Sequence, residues 1–267
     1  MTDLVERLVP DELWVLFRRV VPVTEATRPQ GGGRRRAGDR EALAAIVFVT
    51  TSGCTWRQLP PVFGPCWQTV YRRFAQWSRD RVWARLHRVV LDGLGARGEL
   101  DWSRCAIDSV SLRATKGGHL TGPNPTDRGK LGSKIHLITD RNGLPLSLGI
   151  SGANTHDSQG LEPLVRGIPP IRSRRGPRRR RPAKLHGDKG YDYDHPRRWL
   201  RSRGITPRIA RRGIESSQRL GRHRWVVERT VSWLAGCRRL HRPYERKPEH
   251  FLAFVGIAAV LLGYRRL

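Results

Sequence analysis

Cys105-Ala106-Ile107-Asp108-Ser109-Val110-Ser111-Leu112 reads as a β-strand whose apolar half is interrupted by a carboxylate, Asp108. An unpaired charge in such a strand is costly, so Asp108 needs a partner or a task. Working outward, Lys134-Ile135-His136-Leu137-Ile138-Thr139 reads as a second strand. Asn142-Gly143 is a two-residue hairpin signal, and a third strand runs from Leu144 to Ile150. Ser158 to Val165 suggests a helix, Ala183 to Gly187 a short strand, His195 to Arg203 a helix and Ile205 to Ile209 another strand. Helices from about Gly221 to Cys237 and from His250 to Tyr264 close the chain. Three strands with a hairpin, followed by alternating helices and strands, imply an α/β mixed sheet flanked by helices.

Residues 1 to 97 carry a different pattern. Apolar residues recur at helical spacing from Val9-Pro10 to Val21, from Leu43 to Val49, from Trp67 to Trp77 and from Val82 to Leu94. The third of these helices carries Thr69, Arg72, Arg73 and Gln76 beyond a turn-rich connector, Ser52 to Pro61. That arrangement suits a helix-turn-helix reader, while Trp67, Val70, Phe74 and Trp77 equally suit the packing of a small bundle. The expected division is a helical DNA-binding domain over 1–97 and a catalytic domain over 98–267. Arg172 to Arg181 puts seven arginines into ten residues and is expected as a basic loop.

Lys and Arg total 51 against 23 Asp and Glu, a formal charge of +28. Such an excess calls for a polyanion, and nucleic acid leads because phosphate contacts by Lys and Arg release counterions. The longest apolar run, Phe251 to Gly263, is shorter than the roughly 20 residues needed to span a bilayer. The N-terminus has no sustained apolar core, so no membrane partner is expected and the location is read as the cytoplasm. Cys54, Cys66, Cys105 and Cys237 form no CxxC pair, which argues against a zinc site or a disulfide framework.

Of the thirteen carboxylates in residues 101–267, three resist ordinary explanations. Asp108 interrupts its strand, Asp188 ends a short strand between Gly187 and Gly190, and Glu228 lies mid-helix beside Val227, Val231 and Leu234. Carboxylates at two strand ends and on one helix can converge at a sheet edge. Hard oxygen ligands of this kind suit Mg²⁺ or Mn²⁺. Two such ions about 4 Å apart can drive in-line attack on phosphorus. Spacing alone leaves other roles open: Asp108 as an arginine partner, Glu228 as an i−4 salt bridge to Arg224.

At these residues the sequence resembles the DDE transposases of bacterial insertion sequences, in particular the fifth insertion-sequence family, which is close to the fourth. Gly53 to Pro60 and Thr69 to Trp77 resemble the family's DNA-binding region. Ile107-Asp108-Ser109, Gly187-Asp188-Lys189-Gly190-Tyr191 and Arg224-Trp225-Val226-Val227-Glu228-Arg229 resemble its three catalytic blocks, with Gly132 to His136 in the hairpin between. The resemblance implies an RNase H-like core and assigns Asp108, Asp188 and Glu228 as catalytic and metal-binding residues. It further implies double-stranded DNA as partner, both element ends and target, held by a homodimer. Arg57, Arg72, Arg73, Lys134, Lys189, Arg224, Trp225 and Arg229 are the expected DNA contacts. Gly221 and Ala235 stand where the fourth family carries a Tyr and a Lys, so no mechanism needing those two is implied. A nuclease of the same fold, or a binding-only repressor descended from such an enzyme, stays open as an alternative.

Overall fold

The computed structural model describes residues 4–23, 37–214 and 217–267, with the side chains of 217–224 outside the description. Its first part is helical: α1 Leu4–Leu8, α2 Asp11–Arg18, α3 Asp39–Ser52, α4 Trp67–Arg79 and α5 Val82–Arg97. In α3, Asp39 and Glu41 occupy the first turn, where the helix dipole favours negative charge, and Gly53 ends the helix at φ 74. The connector folds into two short 3₁₀ turns, Trp56–Gln58 and Pro61–Phe63. Helix α4 then buries Val70, Phe74 and Trp77, the three-to-four spacing that the sequence displays.

The second part is built on β1 Cys105–Arg113, β2 Gly122–Pro123, β3 Leu131–Asp140, β4 Pro145–Gly152, α6 Leu161–Gly167, β5 Lys184–Gly187, α7 Asp194–Ser202 and β6 Thr206–Ile209. Helices α8 Ser217–Ala235 and α9 Pro248–Tyr264 follow. One sheet runs β4-β3-β1-β5-β6, antiparallel through its first three strands and parallel from β1 to β5 and β6. The two residues of β2 pair with Leu131 and Gly132 at the far end of β3 and were too short to leave a pattern. This strand order, with α6 against β3 and β4 and α8 against β1 and β3, is the expected RNase H-like arrangement of a mixed sheet with flanking helices.

The turn between β3 and β4 falls at Asn142-Gly143 as expected but is longer than two residues: the Gly143 N–H donates to the Asp140 carbonyl at 3.2 Å and the Asp140 N–H to that of Leu144 at 3.0 Å. Gly143 sits at φ 88, a conformation costly for residues with a Cβ. Asp140 accepts hydrogen bonds from the backbone N–H groups of Asn142 (2.9 Å) and Leu144 (2.8 Å). Burial pushes the Asp140 carboxyl up to about 6.

The helical part and the sheet share one continuous apolar core. Helix α9 is buried along most of its length and packs on α5, α4 and α3, as well as on β4. Phe254 of α9 stacks on Phe74 of α4, with ring centroids 4.6 Å apart. No helix among the described residues is long and apolar enough to cross a membrane. The apolar C-terminal run thus serves as the inner wall of the helical part.

His87 of α5 ties that part to the sheet, its Nε2 lying 2.9 Å from the Pro145 carbonyl oxygen. Burial pushes its pKa down from 6.5 to about 4. A histidine with a depressed folded pKa stabilises the fold fully above its unfolded pKa and loses that contribution as pH falls through the folded one. The contribution of His87 should therefore drain between pH 6.5 and 4, by about 3 kcal/mol at 1.36 kcal/mol per unit. Asp140 acts in the opposite sense, gaining stability as pH falls through about 6, so the two must be separated by mutation. Urea unfolding at pH 7 and pH 4.5 is expected to show a smaller pH loss in His87→Gln than in the unaltered protein. An equal loss in both would mean that His87 does not stay neutral.

Candidate active site

Strands β1 and β5 run parallel with Cys105 opposite Leu185 and Ala106 opposite His186. Two residues further on, that register carries Asp108, midway along β1, and Asp188, just past the carboxyl end of β5, to neighbouring positions. Open α/β sheets bind ligands at that end. Strand β4 points the same way, because it is antiparallel to β3, which is antiparallel to β1. The segment that leaves β4 therefore reaches the same end and brings Asp157 there.

Each carboxylate is held by its own loop. Asp188 caps the 3₁₀ turn Lys189–Tyr191, accepting from the Gly190 N–H at 2.9 Å. Asp108 is half-buried and accepts from the Ser109 N–H at 2.8 Å. Asp157 accepts from Ser109 Oγ and from Lys134 Nζ, both at 2.7 Å, while Lys134 also donates to the Thr155 carbonyl at 2.8 Å. Burial pushes the Asp157 carboxyl up, but the hydrogen bonds from Lys134 and Ser109 and the ammonium charge outweigh it, leaving it below the ordinary carboxylate range. His136, beside them on β3, is pushed down to about 4 by burial against the pull of Asp157. It is a neutral ring, 2.7 Å from Ser151 Oγ.

Tyr191 forms the floor. Its side chain is 1% exposed, and its hydroxyl has no hydrogen-bond partner among the described residues. Burial pushes the phenol well above its ordinary value, and the charges of Asp157, Asp108 and Asp188 push it further. Three carboxylates thus surround one neutral phenol. Asp157 was missed in the sequence because its only signal is a carboxylate in a polar turn, Asn154-Thr155-His156-Asp157, shortly after a strand end.

Glu228 is carried by α8. Helix α8 buries Val226, Val227 and Thr230 and leaves Glu228 exposed. Thr230 Oγ1 donates to the Gly143 carbonyl at 2.7 Å, and Arg229 Nη2 donates to that of Asn142 at 2.8 Å. These bonds anchor this stretch of α8 at the β3–β4 turn, by the start of β1. Among the described residues no three His, Cys, Asp or Glu side chains stand close enough together to hold a metal ion. The register of β1 and β5 sets Asp108 and Asp188 side by side, and Glu228 stands on α8, which packs against β1 and β5.

The expected DNA contacts also divide. Arg57 and Arg72 are exposed on the connector and α4. Arg73 is largely buried and ion-paired with Asp39, and Lys134 is buried on Asp157. Lys189 is half-exposed beside Asp188, Trp225 is 49% exposed, and Arg229 is partly buried between two indoles. The side chain of Arg224 lies outside the described residues.

Residues 102–262 match the family described as Transposase DDE domain, and residues 9–87 match the family described as "Putative transposase of IS4/5 family". Over 228 residues the chain is 48% identical to the "Putative transposase for insertion sequence element IS402" of Burkholderia cepacia, spanning 85% of this chain and 95% of that protein. It is 26% identical over 140 residues to the "Transposase for insertion sequence element IS1106" of Neisseria meningitidis serogroup B, spanning 49% of this chain and 43% of that one. A solved structure titled "Crystal structure of a pre-cleavage Mos1 transpososome" aligns over 96% of this chain and 84% of its own. The identity there is 13% and the TM-score 0.28, too low to transfer any residue's position.

Proposed function

The chain belongs to the DDE transposase family of insertion sequences, and on that premise we propose that Asp108, Asp188 and Glu228 carry its DNA chemistry with Mg²⁺ or Mn²⁺. The register of β1 and β5 supports this reading most, since it sets two carboxylates side by side where a sheet of this kind binds ligands. An all-oxygen pair fits a hard divalent cation, which takes one or two carboxylates and fills its remaining positions with water and phosphate oxygens. When bound, such ions activate the attacking oxygen and neutralise the leaving one. Glu228 is exposed on a helix that lies along β1, and it would be the third carboxylate to hold the cation.

The protein's own part is to hold and to orient. Gly190 and Ser109 fix the two aspartates through backbone N–H groups, so little side-chain entropy remains to be lost on binding. Asp157 keeps Lys134 at the back of the site, which balances the negative charge gathered around Tyr191. Lys189, Arg57 and Arg72 hold phosphates, and two copies of the chain pair two element ends. Water attacks the phosphodiester at each terminal inverted repeat; a new P–O bond forms, the P–O3′ bond breaks, and a 3′-hydroxyl is freed. That hydroxyl attacks a phosphodiester of target DNA and displaces its 3′ oxygen. The reaction belongs to the cytoplasm, on the bacterial nucleoid.

A labelled duplex bearing one element end, incubated with the protein and Mg²⁺, should give both cleaved strands and slower-migrating products joined to target DNA. Chelation by EDTA should abolish both. Cleavage without joined products would indicate a nuclease of the same fold, and binding without cleavage a repressor.

A further inference from the structure

Between α6 and β5 the chain puts seven arginines, Arg172, Arg174, Arg175 and Arg178 to Arg181, into ten residues that the reaction described above does not use. The segment is a built hairpin. Ile171, fully buried, roots it in the core, and Ile171 and Arg179 exchange two backbone hydrogen bonds of 2.7 Å. Gly176 turns the chain between them at φ 85, and the Ser173 hydroxyl lies 2.9 Å from the Arg175 and Pro177 carbonyl oxygens. Asp92 of α5 anchors the hairpin from outside, its Oδ1 accepting from the Arg172 N–H and from Arg178 Nη1, both at 2.7 Å. The hairpin backbone also lies flush on α5 at Gly95, where a Cβ would overlap the Arg172 carbonyl oxygen.

Three of the seven arginines are accounted for by that architecture. Arg178 holds Asp92, while Arg180 Nη2 donates to the Arg166 carbonyl at 2.9 Å and Arg181 Nη1 to that of Arg203 at 3.3 Å. The last two satisfy carbonyls at the ends of α6 and α7. The guanidiniums of Arg172, Arg174, Arg175 and Arg179 are exposed and have no hydrogen bond or ion pair among the described residues. A fixed loop thus carries four cations without counter-charge, and their mutual repulsion is a cost that folding does not explain.

The surroundings narrow the partner. No large apolar side chain is exposed from residue 166 to residue 184, so neither a lipid surface nor an apolar protein contact finds an anchor there. Single strands bind by stacking bases on aromatic rings, but Trp199 of α7 is partly buried and already taken by the guanidiniums of Arg166 and Arg203, each 5.4 Å from its centroid. Phosphates in a regular row remain, and a guanidinium can hold a phosphate through two hydrogen bonds. We propose that residues 171–181 form a rigid arginine arm that grips the phosphate backbone of duplex DNA away from the reacting bond. The arm leads into the amino end of β5, where Lys184 stands about 13 Å from Asp188 by the rise of an extended strand. It therefore holds DNA that flanks the cut rather than the cut itself. The proposal rests on the DNA reading above for its ligand, and its residues are separate from Asp108 and Asp188.

The test uses the full chain in EDTA, so that binding is read without cleavage, on two duplexes of equal length, one bearing an element end and one unrelated. Arg174→Ala with Arg175→Ala and Arg179→Ala should weaken binding about tenfold and lower the slope of log K against log salt by about 2 to 3, at about 0.9 per phosphate contact. Both duplexes should lose equally, because phosphate contacts carry no sequence information. Arg174→Lys with Arg175→Lys and Arg179→Lys should restore most of the slope, since an ammonium also neutralises a phosphate. Gly95→Ala keeps every charge but displaces the hairpin from α5, and should weaken both duplexes severalfold. Thermal unfolding of each variant separates loss of the arm from loss of the fold. An unchanged slope in the triple alanine variant, a loss confined to the element end, or unaltered binding by Gly95→Ala overturns the arm. Displacement of duplex DNA by single-stranded RNA at equal phosphate concentration overturns the choice of a duplex. If the unaltered protein fails to cut when Mg²⁺ is restored, the catalytic reading fails while the slope result stands.

Discussion

Replacing Asp108 with Asn is expected to lower strand cleavage at an element end by about a thousandfold, with duplex binding and folding little changed. Asn keeps the shape of the side chain and its acceptor toward the Ser109 N–H, so β1 has no reason to move. It removes the charge, and with it the hold on a divalent cation, which is worth several kcal/mol of transition-state stabilisation. The half-buried position beside Asp157 and Tyr191 makes a packing cost small, because negative charge in that cluster is relieved rather than added. If the two act as a unit, as proposed, Asp188→Asn should cost a similar factor and the double variant should fall little below either single one. Gel assays on a 5′-labelled duplex, with binding measured in parallel, give the comparison. Cleavage by Asp108→Asn within tenfold of the unaltered protein would remove Asp108 from the chemistry.

The largest stability effect is expected far from that site, at Glu245→Ala. Arg239 and Glu245 are 4% and 5% exposed at the side chain, and the carboxylate accepts from Arg239 Nε at 3.0 Å and Nη2 at 2.6 Å. The same guanidinium donates to the Cys54 carbonyl at 2.9 Å and lies over the rings of Tyr244 and Phe254. Removing the carboxylate leaves a buried cation without its counter-charge, a loss of about 3–5 kcal/mol. At about 2–4 °C per kcal/mol for a chain somewhat smaller than this one, the melting temperature should drop by roughly 10 °C. Glu245→Gln should lose less, because an amide oxygen still accepts from Arg239. Calorimetry on the three proteins decides; a drop of a degree or two for the alanine variant would mean that water reaches the arginine.

That ion pair marks one limit of reading the sequence. Glu245 stands in Arg242-Pro243-Tyr244-Glu245-Arg246-Lys247, a run that reads as an exposed polar connector. It is buried because Cys54, nearly two hundred residues earlier, comes against Arg239, and no local pattern carries that contact. Local chemistry, by contrast, was legible. Asn142-Gly143 marked the β3–β4 turn, the Trp67 to Trp77 spacing marked α4, and the apolar stretch before Asp108 marked β1. Asp108 could be picked out because it puts a charge inside an apolar strand and Asp188 because it ends one between glycines, whereas Asp157 sits in a polar turn where a carboxylate is ordinary. Arg73 and Lys134 looked like phosphate ligands in a basic chain, yet each already serves a carboxylate, Asp39 and Asp157. Side-chain charge is visible in sequence; its partner across the fold is not.

Helix α9 has a bearing on how the molecule comes into being. Its Phe254 completes an aromatic cluster with Trp56 and Phe74, and the helix covers α5 over a separation of more than 150 residues. During synthesis the first helices emerge with that surface bare and wait for the sheet and α8 to be made before it can close. Contacts so distant along the chain form late and slow folding. Until they form, the exposed apolar faces of α4 and α5 can bind one another on neighbouring nascent chains. The surface of α4 that presents Arg72 thus gains its backing only once translation has passed residue 264. Fragments that stop short of α9 should be aggregation-prone rather than partly active.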